Sequence, residues 1–297
     1  MAAREKRLIL VAALSVLIAC GTSPGGPAPQ TEGNVARRIV SLVPALTEML
    51  FAIGAGPQVV AVSSFDDYPP ETRALPRVGA LLDPDVERIL ALQPDLVLTY
   101  GSQGSLEAQL ASAGIRTFSY RHGGIQTIFE TMRDLGAATG HTASALGKVT
   151  ELEAQLEAVK AKVRGRSRPR TLLVFGRQPG SLQQLYVSGG TGFLHEMLEA
   201  AGGISVFADV ARESVQPSQE TLITRAPEVI LEVSPTRQIS AMDAVQERAV
   251  WSPLASVPAV KGGRIYFLYG DYLVVPGPRV GLATERFARA LHPDAFQ

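Results

Sequence analysis

The sequence predicts an α/β protein of two lobes joined by one long helix, with a ligand cleft between the lobes. Three observations predict it. Short apolar runs alternate with helix-length stretches from Arg38 to Tyr120 and again after Pro169, the spacing of βαβ units. Between those regions one amphipathic stretch, Thr142 to Arg164, places Leu146, Val149, Leu152, Leu156, Val159 and Val163 three or four residues apart, a single helical stripe. The two halves also share landmarks in the same order. Glu87 lies seven residues before Pro94 and Glu220 seven before Pro227, while Glu48-Met49-Leu50 and Glu196-Met197-Leu198 each begin six before a glycine, Gly54 and Gly202.

Taken along the chain, 38–43 reads as a strand, 46–53 as a helix closed by Gly54, and 59–63 as a second strand. Helix is expected at 86–92, strand at 96–100, helix around 106–113 and strand at 116–120. At 1.5 Å per residue the stripe-bearing helix reaches roughly 35 Å, about the height of a small domain. Beyond Pro169, 171–175 reads as a buried strand.

The first residues carry an address. Arg4, Lys6 and Arg7 precede an apolar run from Leu8 to Ala19, too short for the about 20 residues of a spanning helix but suited to a secretion signal. The run ends in Leu17-Ile18-Ala19-Cys20, which resembles a bacterial lipobox and implies lipidation of Cys20, the only cysteine. Residues 21–36 are small, polar and rich in Pro and Gly, a composition that tethers rather than packs. The expected organisation is a lipoprotein signal peptide at 1–19, a flexible tether at 20–36, an N-terminal α/β lobe at 37–140, a bridging helix at 141–166 and a C-terminal α/β lobe at 167–297.

Composition narrows the function. With 28 Lys and Arg against 28 Asp and Glu among 297 residues, the chain has no global positive field for nucleic acid. One cysteine excludes an internal disulfide, a cysteine-ligated zinc site and a CxxC redox pair. The four histidines, His122, His141, His195 and His292, show no metal-site spacing, so no metal is expected; His122 follows a strand end, a position open to a cleft, and reads as a solvated loop histidine. Gly189-Gly190-Thr191-Gly192 fits neither dinucleotide nor phosphate-loop spacing and reads as a tight turn feeding a helix. The sequence's GxSxG match, Gly21 to Gly25, lies in the Pro- and Gly-rich tether and not at a strand-to-helix turn, which disfavours the rival reading of an exported α/β enzyme. The basic run from Lys160 to Arg170 complements the C-terminal dipole of the long helix.

The stretches SLVPALTEMLFAIG, VVAVSSFDDYPPE, VERILALQPDLVLTY, SGGTGFLHEMLEAAGGISVFAD and GPRVGLATERFARALHP resemble the class III periplasmic binding proteins of ABC importers, specifically the cobalamin-binding branch. The resemblance implies two Rossmann-like lobes bridged by a rigid helix, no catalysis and no cofactor, and capture of cobalamin or a similar corrinoid for a membrane permease. It implies ligand contacts at Phe65, Tyr100, Tyr186 and Asp271, and docking to the permease through Glu87 and Glu220, the acids of the internal repeat. Leu81 and Ser214 occupy ligand-binding positions where such proteins carry aromatics, and Val275 stands where arginine is common. Those departures keep haem or a ferric siderophore open as the ligand. A monomer anchored by lipid outside the cytoplasmic membrane is expected.

Overall fold

The computed structural model describes residues 35–235 and 241–297. The expected signal peptide, the lipidation site Cys20 and all but the last two residues of the tether lie outside them. Strands β1 (Ile39–Ser41) and β3 (Leu96–Tyr100) are nearly continuous apolar runs because both faces of their sheet are covered. With β2 (Val59–Val62) and β4 (Arg116–Tyr120) they form an all-parallel sheet in the order β2-β1-β3-β4. The crossovers carry helices α1 (Pro44–Ala52), α2 (Val86–Ala91) and α3 (Gly104–Ser112).

The second sheet is separate, and it is mixed. Its parallel part is β5 (Arg170–Gly176), β9 (Val229–Ser234) and β10 (Ile265–Tyr269); β6 (Tyr186–Ser188) and β8 (Ser214–Val215) extend it antiparallel, and β7 (Ile204–Ser205) pairs with the start of β5. The internal repeat therefore holds for the parallel core of each lobe and not for the β6–β8 extension. The Gly189–Gly192 run is a tight turn, as expected: a Cβ at Gly190 would lie 2.2 Å from the Ala208 carbonyl oxygen, so only glycine lets the two segments meet.

Between the sheets runs α5 (Thr142–Val163), continuous because no proline interrupts it and closed by Gly165 at φ +77°. Its buried stripe is Ala145, Val149, Leu152, Leu156, Val159 and Val163. Leu146, expected on that stripe, is 49% exposed, because the true seam enters one residue earlier, at Ala145. Nor does α5 act as a lone strut. Both α4 (Ile125–Thr139) and α10 (Val280–Leu291), neither foreseen as a helix, pack along it. Gly281 permits the α10 approach, since a Cβ there would stand 2.4 Å from the Gln155 side-chain oxygen on α5. One apolar core then runs from Leu46 and Leu98 through Met132, Leu152 and Leu156 to Leu173, Leu231 and Phe287, crossing from one lobe into the other.

The remaining helices are α6 (Phe193–Ala200), α7 (Gln219–Arg225), α8 (Ala241–Ala249) and α9 (Pro258–Lys261). Trp251 is fully buried in a second core of the C-terminal lobe.

Candidate functional site

The carboxyl ends of parallel strands carry loops rather than further ladder, and ligands of α/β proteins collect there. In the N-terminal lobe the loop after β2 is fastened from within. The backbone N–H and hydroxyl of Ser63 donate to the buried Asp66 carboxylate, and Arg77 donates to the Ser63 and Asp66 carbonyls. Burial raises the Asp66 carboxyl above its ordinary range. With Asp66 turned inward, its neighbour Phe65 is presented to solvent, 72% exposed, an unusual setting for a large ring.

Three residues later in the same loop, the Tyr68 ring lies 3.9 Å from the Arg279 guanidinium, which joins the lobes. Arg279 Nε and Nη2 donate to the two oxygens of Glu48 on α1 at 2.8 and 2.5 Å, while Nη1 and Nη2 donate to Asp271 at 3.0 and 2.8 Å. The two carboxyls respond differently to the same cation. Glu48 is 4% exposed, and burial raises its pKa despite Arg279. Asp271 is more open, and although burial pushes its pKa up, Arg279 outweighs that and lowers it. Among the described residues, then, the cation beside Asp271 is Arg279 rather than a residue at position 275.

A second contact line crosses the lobe boundary beside Tyr100. Tyr100, Tyr120, His122 and Phe193 form a ladder of edge-on rings 5.8–6.4 Å apart, the first three from the N-terminal lobe and the last from α6. His122 is held at both nitrogens, Nδ1 with the Tyr120 hydroxyl at 2.9 Å and Nε2 with Glu213 at 3.1 Å. Burial, with Glu213 nearby, raises the Tyr120 hydroxyl well above its ordinary range. Ser214, next to Glu213, opens β8 on the exposed surface. On the C-terminal side Tyr186 begins β6, partly exposed, its ring 6.3 Å from that of Phe175. Leu81 sits in an exposed loop whose carbonyl accepts from Gln103.

The two repeat acids Glu87 and Glu220 are exposed and occupy the first turns of α2 and α7, where Asp85 and Ser218 cap the helices. The other repeated pair has a role that its spacing did not announce. Glu48 reaches across to Arg279, and Glu196 accepts from the Ile125 backbone N–H at 2.7 Å, so each lobe sends one such glutamate to the other.

The family model described as "Periplasmic binding protein" matches residues 39–272. The chain belongs to that family. Among its relatives, a protein of Salmonella typhimurium strain LT2 named vitamin B12-binding protein is 31% identical over 86% of this chain and 90% of its own length. One of the same name from Yersinia pestis strain Pestoides F is 33% identical over 87% of both. Of solved structures, a periplasmic heme-binding protein from Roseiflexus sp. RS-1 superposes with TM-score 0.72 at 28% identity, covering 88% of this chain and all of that one. The periplasmic vitamin B12-binding protein of Vibrio cholerae gives TM-score 0.72 at 24% identity over 88% and 98%, a likeness of fold.

In this periplasmic binding protein Phe65, Tyr100, Tyr186 and Asp271 lie on loops and strand ends. Tyr68 and Arg279 link the Phe65 loop to Asp271, and Tyr120 and His122 link Tyr100 to Glu213 beside Ser214. Sequence reading missed Glu48, Tyr68, Tyr120, Glu213 and Arg279. Tyr68 and Arg279 stood within the motifs SSFDDYPP and GPR, but no local pattern pairs them. No helix among the described residues is long and apolar enough to cross a membrane.

Proposed function

We propose that the chain is an exported, lipid-anchored binding protein, attached through Cys20, that captures cobalamin or a similar corrinoid and delivers it unchanged to the membrane subunits of an ABC importer. The observation that carries this reading is the likeness, along six-sevenths of the chain, to relatives named for vitamin B12 binding. The surface supports it. Exposed aromatic area at Phe65 and Tyr186, one ring on each lobe, offers flat faces to a large flat ligand, and Tyr100 with Asp271 adds a half-buried ring and a polar group. Glu87 and Glu220, one on each lobe, dock the loaded protein, and no bond of the ligand is made or broken.

Haem is the competing ligand, since heme-binding proteins share the fold. A haem iron needs an axial donor such as His or Tyr, and His122 at the lobe boundary has both ring nitrogens engaged, by Tyr120 and Glu213. Calorimetric titration of the purified chain with cyanocobalamin and, separately, with haemin tests the choice. Saturable binding of cyanocobalamin with little haemin binding is expected; haemin binding alone would overturn the corrinoid reading.

A further inference from the structure

Beyond the aromatic contacts, the C-terminal lobe holds a cavity of about 370 Å³ at the carboxyl ends of β5, β9 and β10. Phe175, the ring partner of Tyr186, lies on its wall, as do Phe267 and Tyr269. A polar cluster with no counterpart in the capture scheme above also lines it. Arg177, its side chain 5% exposed, pairs with Glu232 at 2.8 Å and with Glu247 on α8. Its Nη1 donates to the Gln178 and Ser181 carbonyls, and Trp251 donates to Glu232 at 3.3 Å. One donor is left over: Arg177 Nε is buried and has no hydrogen-bond partner among the described residues.

Two carboxylates surround one guanidinium, Glu232 also accepting from buried Trp251, and a buried N–H without an acceptor costs about 1–3 kcal/mol. An acceptor in the cavity would relieve that cost once the Arg177 side chain turns to bring Nε to the cavity wall. It cannot be an anion, because Glu232 and Glu247 would repel it. A primary carboxamide suits both needs, its oxygen accepting from the guanidinium and its NH₂ donating to a carboxylate. Corrinoids bear such carboxamides around the ring, whereas haem bears carboxylates at its edge.

We propose that this cavity is a carboxamide-reading chamber that receives one peripheral arm of the corrinoid and rejects ligands presenting a carboxylate there. The proposal rests on the corrinoid reading above and names the groups that distinguish its ligand from haem. Arg177 and Glu247 meet the amide, Glu232 holds Arg177 in place, and Phe267 and Tyr269 wall the apolar part of the arm.

The test titrates the full-length chain in detergent with cyanocobalamin and with each of its monocarboxylic acids, in which one peripheral amide has become a carboxylate. One of these acids is expected to bind at least about tenfold more weakly than cyanocobalamin, the others about equally, since a site built for an amide rejects the analogue that cannot pair. Glu247→Gln, isosteric and at a partly exposed position, is expected to narrow that gap severalfold, with a thermal melt confirming that the variant is folded. Equal binding of every acid by the unsubstituted protein, or a gap that a folded Glu247→Gln variant leaves untouched, overturns the chamber while leaving cobalamin capture intact. Failure to bind cyanocobalamin at all overturns both, and the first titration reveals it. The unsubstituted protein's own titrations decide the matter even if the variant fails to fold.

Discussion

Arg279 shows how much one side chain contributes at the lobe boundary. Four hydrogen bonds divide it between Glu48 of one lobe and Asp271 of the other, and the Tyr68 ring lies against its face. Its removal leaves Glu48 buried without a cation. Arg279→Ala is therefore expected to destabilise the protein by about 3–5 kcal/mol near neutral pH, measured by denaturant unfolding; a loss below about 1 kcal/mol would show that the triad is not holding the lobes. The deficit should depend on pH. The folded Glu48 carboxyl has a pKa above its ordinary 4.5, so the folded state binds more protons than the unfolded one. The Glu48 contribution is favourable below that value and is lost as pH rises through the folded pKa. Without Arg279 that pKa rises further, so the deficit should shrink on acidification toward pH 4.5 and grow toward neutrality.

Among the elements, α5 decides whether the two sheets share a core. The helix packs against α4 on one side and α10 on the other, and its seam leucines lie in the core that both lobes share. Leu152→Ala is expected to cost about 2–5 kcal/mol through lost burial and the cavity left behind. Leu146→Ala, on the same helix but half-exposed, should stay within about 0.5 kcal/mol. Thermal or urea unfolding of both variants checks the contrast, and equal costs would place the seam elsewhere. The period of apolar residues identified this helix. The seam itself is set by its neighbours, because Ala145 is buried by contact with α4 while the larger Leu146 points away: a Cβ at Gly136 of α4 would lie 2.5 Å from that of Ala145.

For the molecule as a whole, the lobes are joined by a shared core and by contacts from both sides: Glu48 to Arg279, Glu196 to Ile125, and His122 to Glu213. Such a frame keeps the two exposed glutamates of α2 and α7 in a constant relation, as the proposed two-point dock requires. Glu87→Ala combined with Glu220→Ala is expected to abolish stimulation of the importer's ATPase in proteoliposomes while cyanocobalamin affinity stays unchanged. A double variant that stimulates fully would remove the docking role. Exposed charges of this kind set orientation and encounter rate more than affinity, so salt should weaken the stimulation in the unsubstituted protein.

Much of the framework was legible in the sequence because it follows from short-range rules. The runs 96–100 and 116–120 form β3 and β4 at the limits expected, α5 begins at Thr142, and Glu87 and Glu220 stand in matching first turns. Apolar period, capping residues and turn glycines act over a few residues, so the chain carries their message locally. Tertiary structure alone decided the antiparallel β6–β8 extension, the helices that flank α5, and the partners of the polar groups. Arg279 and Glu48 are 231 residues apart, and Arg177 and Glu247 are 70 apart. Nothing nearby in sequence marks either pair. Hydrogen bonds and ion pairs act over a few ångströms in space at any separation along the chain, so these contacts exist only once the lobes have packed.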